Sequence, residues 1–309
     1  MIEFSVVVPL YKCSETLKEL CARLQTVFNK LEKTYEIILV NDGSPGNDWE
    51  VACSLSKENK NIKSINLSRN FGQHPAIFCG LENAKGEWIV VMDGDLQDVP
   101  EEIEKLYLKA LAGVDIILAA RTEREDKFTK KLSSFLFYKT LNYFTGSQLS
   151  HAVGNFGLYN KKVIKSVLGL GDYIKFLPAA INWVGYKSDV VEVLHSKRKE
   201  GVSSYNLYSL LSLAFNNIVS FSNKPLKIVI KFGFILVGIS LFMIFYNFYL
   251  KITDKITVDG YSSIVISMWF LFGCMISIIG VVGVYLGKVF DQVKNRPTYI
   301  VQEKINIES

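Results

Sequence analysis

Two stretches of the chain, Phe232–Leu250 and Ser263–Gly287, carry no charged side chain, and they restrict the fold more than any other feature. At ~1.5 Å per helical residue, each is long enough to cross a hydrocarbon core of ~30 Å. A helix buried in a soluble protein is usually shorter and keeps some polar face. The reading is therefore two transmembrane helices with a short connecting loop, over residues 232–287. Lys224, Lys227 and Lys231 precede the first stretch, and Lys288, Lys294 and Arg296 follow the second. In the connection, two lysines are balanced by two aspartates. That bias places both chain ends on the cytoplasmic side. The start, Met1-Ile2-Glu3-Phe4, lacks the basic-then-apolar pattern of a signal peptide, which agrees with a first domain kept in the cytoplasm. The expectation is an integral protein of a bacterial inner membrane with two spans.

The rest of the 309 residues mixes charged and apolar residues as a soluble domain does. Short apolar, β-branched runs alternate with amphipathic stretches. Strands are predicted at 4–9, 35–40, 62–67, 88–92 and 115–119. Helices are predicted from an N-cap at Ser14, then at 51–55, 76–84 and 100–111. This order predicts an α/β fold, an open, mainly parallel sheet with helices on both faces, whose ligands bind beyond the carboxyl ends of the strands. The soluble domain is expected over 1–204 and a cytoplasmic tail over 288–309. An interfacial or juxtamembrane helical segment is expected over 205–231, where 205–222 is amphipathic at helical spacing; a core helix explains that spacing as well.

Two acidic turns fall at predicted strand ends. Asp93-Gly94-Asp95-Leu96-Gln97-Asp98 follows the fourth strand, and Asn41-Asp42-Gly43-Ser44 follows the second. Carboxylates two residues apart after a buried strand can face one hard divalent cation, which takes oxygen ligands and bridges to a diphosphate. Its charge offsets what accumulates on a departing nucleotide diphosphate. Asp93 and Asp95, with Gln97 as a further oxygen donor, are the candidate ligands for Mg²⁺ or Mn²⁺. Asp42 can accept hydrogen bonds from a base or ribose, and Arg69 in Arg69-Asn70-Phe71-Gly72 can line a nucleotide pocket. The net charge of +5 does not argue for nucleic acid. The five cysteines contain no C-x-x-C pair, which speaks against a zinc site or disulfide framework.

Taken in order, S-V-V-V-P-L-Y, V-N-D-G-S, L-S-R-N-F-G-Q, M-D-G-D-L-Q-D-V-P-E, R-K-E-G-V-S-S-Y and L-A-F-N-N-I-V-S-F-S-N-K-P-L make the chain resemble glycosyltransferase family 2. The likeness is to its polyisoprenyl-phosphate branch, which includes dolichol-phosphate mannose synthase. The resemblance covers nearly the whole chain. It implies a GT-A fold and inverting transfer of one sugar from a UDP- or GDP-type nucleotide-sugar to a membrane polyprenyl-linked acceptor. It assigns metal and diphosphate contacts to Asp93, Asp95 and Gln97, and nucleotide contacts to Pro9, Tyr11 and Asp42. Arg121 is placed near the donor. Arg198, beside Lys197, is placed against a phosphate at the membrane interface, where a guanidinium suits bidentate binding.

Three departures from the family pattern bear on the acceptor. Cys13 stands where members often carry an acidic residue, Ser204 stands where they carry lysine, and Asn155 stands where many carry aspartate. Asn155 cannot take up a proton, so a sugar hydroxyl would need another base, with Asp98, His151 and Asp172 as candidates. A polyprenyl phosphate is already anionic and needs none. The phosphate acceptor is therefore the first reading, and a hydroxyl of a lipid-linked glycan, favoured by the loss of lysine at Ser204, is the second. A non-catalytic membrane scaffold of the same fold is the reading from another class; the intact acidic pair speaks against it. Processive synthases usually carry a Q-x-x-R-W signature, which is absent here. Whether copies associate as a homo-oligomer is left open.

Overall fold

The computed structural model describes residues 2–121, 153–173, 175–194, 224–253 and 260–307. The chain divides into two compact units. The first contains an eight-stranded sheet and its helices. The second contains two long helices.

Within the first unit the chain alternates as the periodicity predicts. It runs β1 (Phe4–Leu10), α1 (Ser14–Lys30), β2 (Tyr35–Asn41), α2 (Asp48–Glu58), β3 (Ile62–Leu67), α3 (Gln73–Asn83) and β4 (Trp88–Val91). A 3-10 turn, Pro100–Glu102, leads into α4 (Ile103–Leu111), followed by β5 (Ile116–Arg121). Then come β6 (Val153–Asn160), α5 (Lys161–Leu168), α6 (Leu177–Val184) and β7 (Ser188–Val193). The strand order is β7-β5-β6-β4-β1-β2-β3, with a last strand, β8 (Val301–Ile305), on the far edge. β4-β1-β2-β3 pair in parallel, as do β5 and β7; β6 runs antiparallel between β4 and β5, and β8 antiparallel to β3.

Every residue of β1 and β2 is buried, the mark of strands covered on both faces. Alternate residues serve two cores. Phe4, Val6, Val8 and Leu10 meet Leu17, Leu20 and Leu24 of α1 and Ile103 and Leu106 of α4. Val7, Ile38 and Val40 meet Ala76, Ile77 and Leu81 of α3 and Val163 and Val167 of α5. At the N-terminal end of the strands, the buried Glu36 carboxylate accepts from Ser5 Oγ at 2.5 Å, from Lys85 N at 2.6 Å and from Lys63 Nζ. Neighbouring strands are thereby pinned in register away from the ligand-binding end.

Some boundaries differ from those predicted. α1 begins at Ser14 itself, with Cys13 as its cap and no side-chain cap bond. The Cys13 carbonyl instead accepts from Thr16 N. α2 extends well beyond 51–55. The helix predicted over 100–111 opens with the 3-10 turn, where the missing N–H of Pro100 costs no helical bond.

In the second unit, α7 (Lys224–Ile252) and α8 (Tyr261–Val293) outrun the uncharged stretches because the flanking basic residues continue both helices. Among the described residues, Phe270–Val293 is long and apolar enough to cross a membrane, with a mean hydropathy of 2.2 and no part of it buried. The segment expected as a tail has structure: Lys288–Val293 belong to α8, and Val301–Ile305 are β8. The segment 205–222 lies outside the described residues.

Candidate active site

Four turns converge at the C-terminal ends of β1 to β4, and side chains from one turn hold the backbone of the next. After β1, Tyr11 is exposed and Lys12 takes a left-handed conformation (φ 57°). Lys12 N and Cys13 N both donate to the Asp48 carboxylate, at 3.0 and 2.7 Å. Ser44 Oγ also donates to Asp48 and accepts from Lys12 N. Asp48 is fully buried and locks the β1 and β2 turns together. After β2, the buried Asp42 accepts from Phe71 N at 2.7 Å and Gly72 N at 2.9 Å. Burial pushes its carboxyl above the usual range, opposed by those two N–H groups and by Arg69. Gly43, at φ 58°, lies so close to the β3 turn that a Cβ would sit 2.4 Å from Asn70 N. Arg69 stacks its guanidinium on the Phe71 ring at 4.3 Å.

The turn after β4 carries the acidic pair. Asp93, Asp95 and Gln97 are half-buried, whereas the alternating Gly94, Leu96 and Asp98 are buried. The three oxygen-bearing side chains thus share the accessible side of one turn. Leu96 adopts a left-handed conformation (φ 59°), a strained geometry for a branched side chain. Asp98 braces the turn from below, accepting from Asp93 N at 3.2 Å. Asp95 Oδ1 accepts from Gln97 N at 3.1 Å, and Asp93 Oδ1 accepts from Gln73 Nε2 at 2.7 Å. Thr16 Oγ1 donates to Gly94 O at 2.6 Å, and a Cβ on Gly94 would stand 3.0 Å from Cys13 Sγ. The Cys13 thiol is pushed up by burial first and by Asp48 second, so it stays protonated. Among the described residues no cluster of three or more His, Cys, Asp or Glu side chains forms a metal cage. The donor set is two carboxylates and an amide oxygen. That set fits a hard divalent ion sharing its coordination with substrate phosphate rather than a closed structural site.

The other expected residues spread further. Pro9 is buried within β1 opposite Val40, which leaves Tyr11 as the exposed side chain at that strand end. Arg121 is the last residue of β5. Asn155 lies on β6; because β6 is antiparallel to β4 with Gly157 opposite Val91, Asn155 lies toward the same sheet end as Asp93. Burial raises the carboxyl of Asp172, with Lys175 opposing. Lys197, Arg198, Ser204 and His151 lie outside the described residues. Sequence reasoning passed over Asp48, Thr16 and Gln73. The only signal for Asp48 was a second carboxylate a few residues beyond Asp42. Gln73 was visible only as the last letter of R-N-F-G-Q.

The model of the family described as glycosyl transferase family 2 matches residues 5–168, the stretch that builds all four turns. The chain belongs to glycosyltransferase family 2. An uncharacterised glycosyltransferase of Bacillus subtilis (strain 168), YkcC, is 35% identical over 309 residues, covering 100% of this chain and 96% of its own. A prophage SfII-derived bactoprenol glucosyl transferase of Shigella flexneri is 32% identical over 306 residues, covering 98% of each. Among solved structures, glucosyl-3-phosphoglycerate synthase of Mycobacterium tuberculosis, crystallised with Mn²⁺, UDP-glucose and phosphoglyceric acid, superposes with a TM-score of 0.50 at 14% identity. It covers 71% of this chain and 78% of that one. That likeness concerns the fold alone: this family 2 glycosyltransferase has a GT-A-like, mostly parallel α/β domain.

Proposed function

We propose that the protein transfers a single sugar from a UDP- or GDP-type nucleotide-sugar to polyprenyl phosphate at a membrane, with inversion at the anomeric carbon. The observation that carries this is the similarity to a bactoprenol glucosyl transferase over 98% of both chains, which extends through the two long helices. A second support is chemical. Asn155 stands on β6 where a base would be needed for a hydroxyl acceptor, and a phosphate monoester needs no base.

Asp93, Asp95 and Gln97 would hold Mg²⁺ or Mn²⁺. When bound, the ion supplies charge that stabilises the leaving diphosphate. Tyr11 and Arg69 line the nucleotide, and Asp42 positions the Phe71–Gly72 backbone beside it. Arg121, Lys197 and Arg198 orient phosphates, the last two on the acceptor side with Ser204 and Asn155. The acceptor oxygen attacks from the face opposite the nucleotide, so configuration inverts. The soluble domain takes in 1–204 and is completed by β8 from the chain end, with a juxtamembrane segment over 205–231 and two membrane spans over 232–287. Both chain ends lie in the cytoplasm of a bacterium.

The test uses detergent-purified protein with Mn²⁺, radiolabelled nucleotide-sugars and a short polyprenyl phosphate as sole acceptor. Label in a lipid product is the expected result. Label that moves only when a lipid-linked glycan is supplied favours the second reading, motivated by Ser204, and overturns the first.

A further inference from the structure

Beyond α8 the chain returns to the sheet. β8 runs antiparallel to β3, with Ser64 opposite Ile305 and Leu67 opposite Val301. At the β3 exit, Ser68 N donates to Ile300 O at 2.9 Å. At the other end, Asn306 Nδ2 donates to Ser56 O at 2.6 Å and Ile62 O at 2.8 Å. The same segment reaches α3: Tyr299 OH donates to the Glu82 carboxylate, and Lys304 Nζ to Asn83 Oδ1 at 3.2 Å. Tyr299, Val301 and Ile307 pack on the core shared by β3 and α3, while Gln302, Glu303 and Lys304 face water and give the edge the polar character that discourages further pairing.

β3 and α3 are the two elements that flank the Ser68–Gly72 turn. That turn presents Arg69, supplies the Phe71 and Gly72 amides to Asp42, and leads into Gln73, which holds Asp93. We propose that residues 299–306 are a positioning strap for the nucleotide end of the active site. By fixing both flanks of the 68–72 turn, the C-terminal strand sets the donor affinity. Its role in donor affinity rests on the reading of that end as nucleotide-binding. The strap itself rests only on the hydrogen bonds given above.

Alternate N–H groups of an edge strand point to its neighbour, so prolines at two adjacent positions must remove at least one ladder bond. The experiment compares full-length protein carrying Glu303→Pro with Lys304→Pro against one carrying alanine at both. It reads UDP and GDP affinity in Mn²⁺ and hydrogen exchange at the Phe71 and Gly72 amides. The proline pair is expected to raise the nucleotide Kd about tenfold, the size of one or two lost ordering hydrogen bonds, and to speed exchange at both amides. The alanine pair keeps the ladder and loses only the Lys304–Asn83 side-chain bond of the strap, and is expected to change the Kd less than about threefold and leave exchange slow. Unchanged affinity in the proline pair overturns the proposal, whether or not exchange is faster. If wild-type protein binds neither nucleotide, the nucleotide reading has failed and exchange alone decides the strap. Protection that depends on the strap supports it, and protection that does not overturns it.

Discussion

Asp93 is oriented by Gln73 from another element, through a bond of 2.7 Å, so the acidic pair is not a free-standing turn. Asp95→Ala is expected to lower turnover on the order of 10²-fold through loss of leaving-group stabilisation. Gln73→Ala keeps both charges but releases Asp93, and should weaken Mn²⁺-dependent nucleotide binding about tenfold, as loss of outer-shell support does at metal sites. A Mn²⁺ titration of nucleotide binding reads both variants; wild-type behaviour from Asp95→Ala would sink the metal assignment, and from Gln73→Ala the positioning role of Gln73. Next to Gln73, His74 has its Nδ1 shut off from solvent with no hydrogen-bond partner among the described residues, although the residue as a whole is half-buried, and its ring meets Phe176 edge-on at 4.7 Å. Burial lowers its pKa to about 4. For a base with a depressed folded value, the unfolded chain binds a proton between about pH 4 and 6.5 that the folded chain does not. Stability therefore falls as pH drops through that window, by at most about 3 kcal/mol from this group. His74→Leu should show a shallower fall in melting temperature from pH 7 to pH 4.5 than wild type; parallel curves would exclude the imidazole as the cause. The acidic pair was legible in the sequence because its chemistry lies within five residues of one strand end. The partnership of Gln73 with Asp93 was not, because the fold alone joins them.

At the scale of elements, the four turns form one unit through Asp48, Asp42 and Thr16. Asp48→Ala would strand the Lys12 and Cys13 N–H groups and the Ser44 hydroxyl. It should cost on the order of 3 kcal/mol, by the price of unsatisfied buried donors, and weaken nucleotide binding as the β1 and β2 turns separate. Thermal melting with and without nucleotide checks this; a variant that melts like wild type would show the turns held by other means. β1 to β5 were legible because they are apolar runs ended by turn residues. β6 was not, since Val153-Gly154-Asn155-Phe156-Gly157 reads as a turn. Yet Gly157 is required there, because a Cβ would come within 2.6 Å of the Tyr159 hydroxyl. β7 and β8 are edge strands with polar outer residues, and their pairing partners, not their own pattern, make them strands.

The whole molecule joins a domain that hides its apolar residues to a helix pair that displays them. On α8, the consecutive Phe270, Leu271 and Phe272 are 58%, 47% and 53% exposed, and neighbouring residues of a helix point about 100° apart, so exposed apolar side chains stand on more than one face. No single docking surface could cover such a helix, whereas lipid covers every side. α7 also exposes Phe234, Phe242 and Phe245, each at least 67%, at offsets that set them along one side of that helix. If both helices cross, the 254–259 connection emerges on the side opposite the sheet domain. In a background with the half-buried Cys53 and Cys274 replaced by serine, Thr257→Cys should react with a membrane-impermeant maleimide in intact cells. Lys60→Cys, exposed on the sheet domain, should react only after lysis. The buried Cys13, Cys21 and Cys79 should stay silent in the folded protein. Labelling of both positions only after lysis would mean that the hairpin lies on the inner leaflet. The acceptor phosphate would then have to be reached by a helix pair lying along the surface, and the two-span topology would fall while the family 2 chemistry of the sheet domain stood.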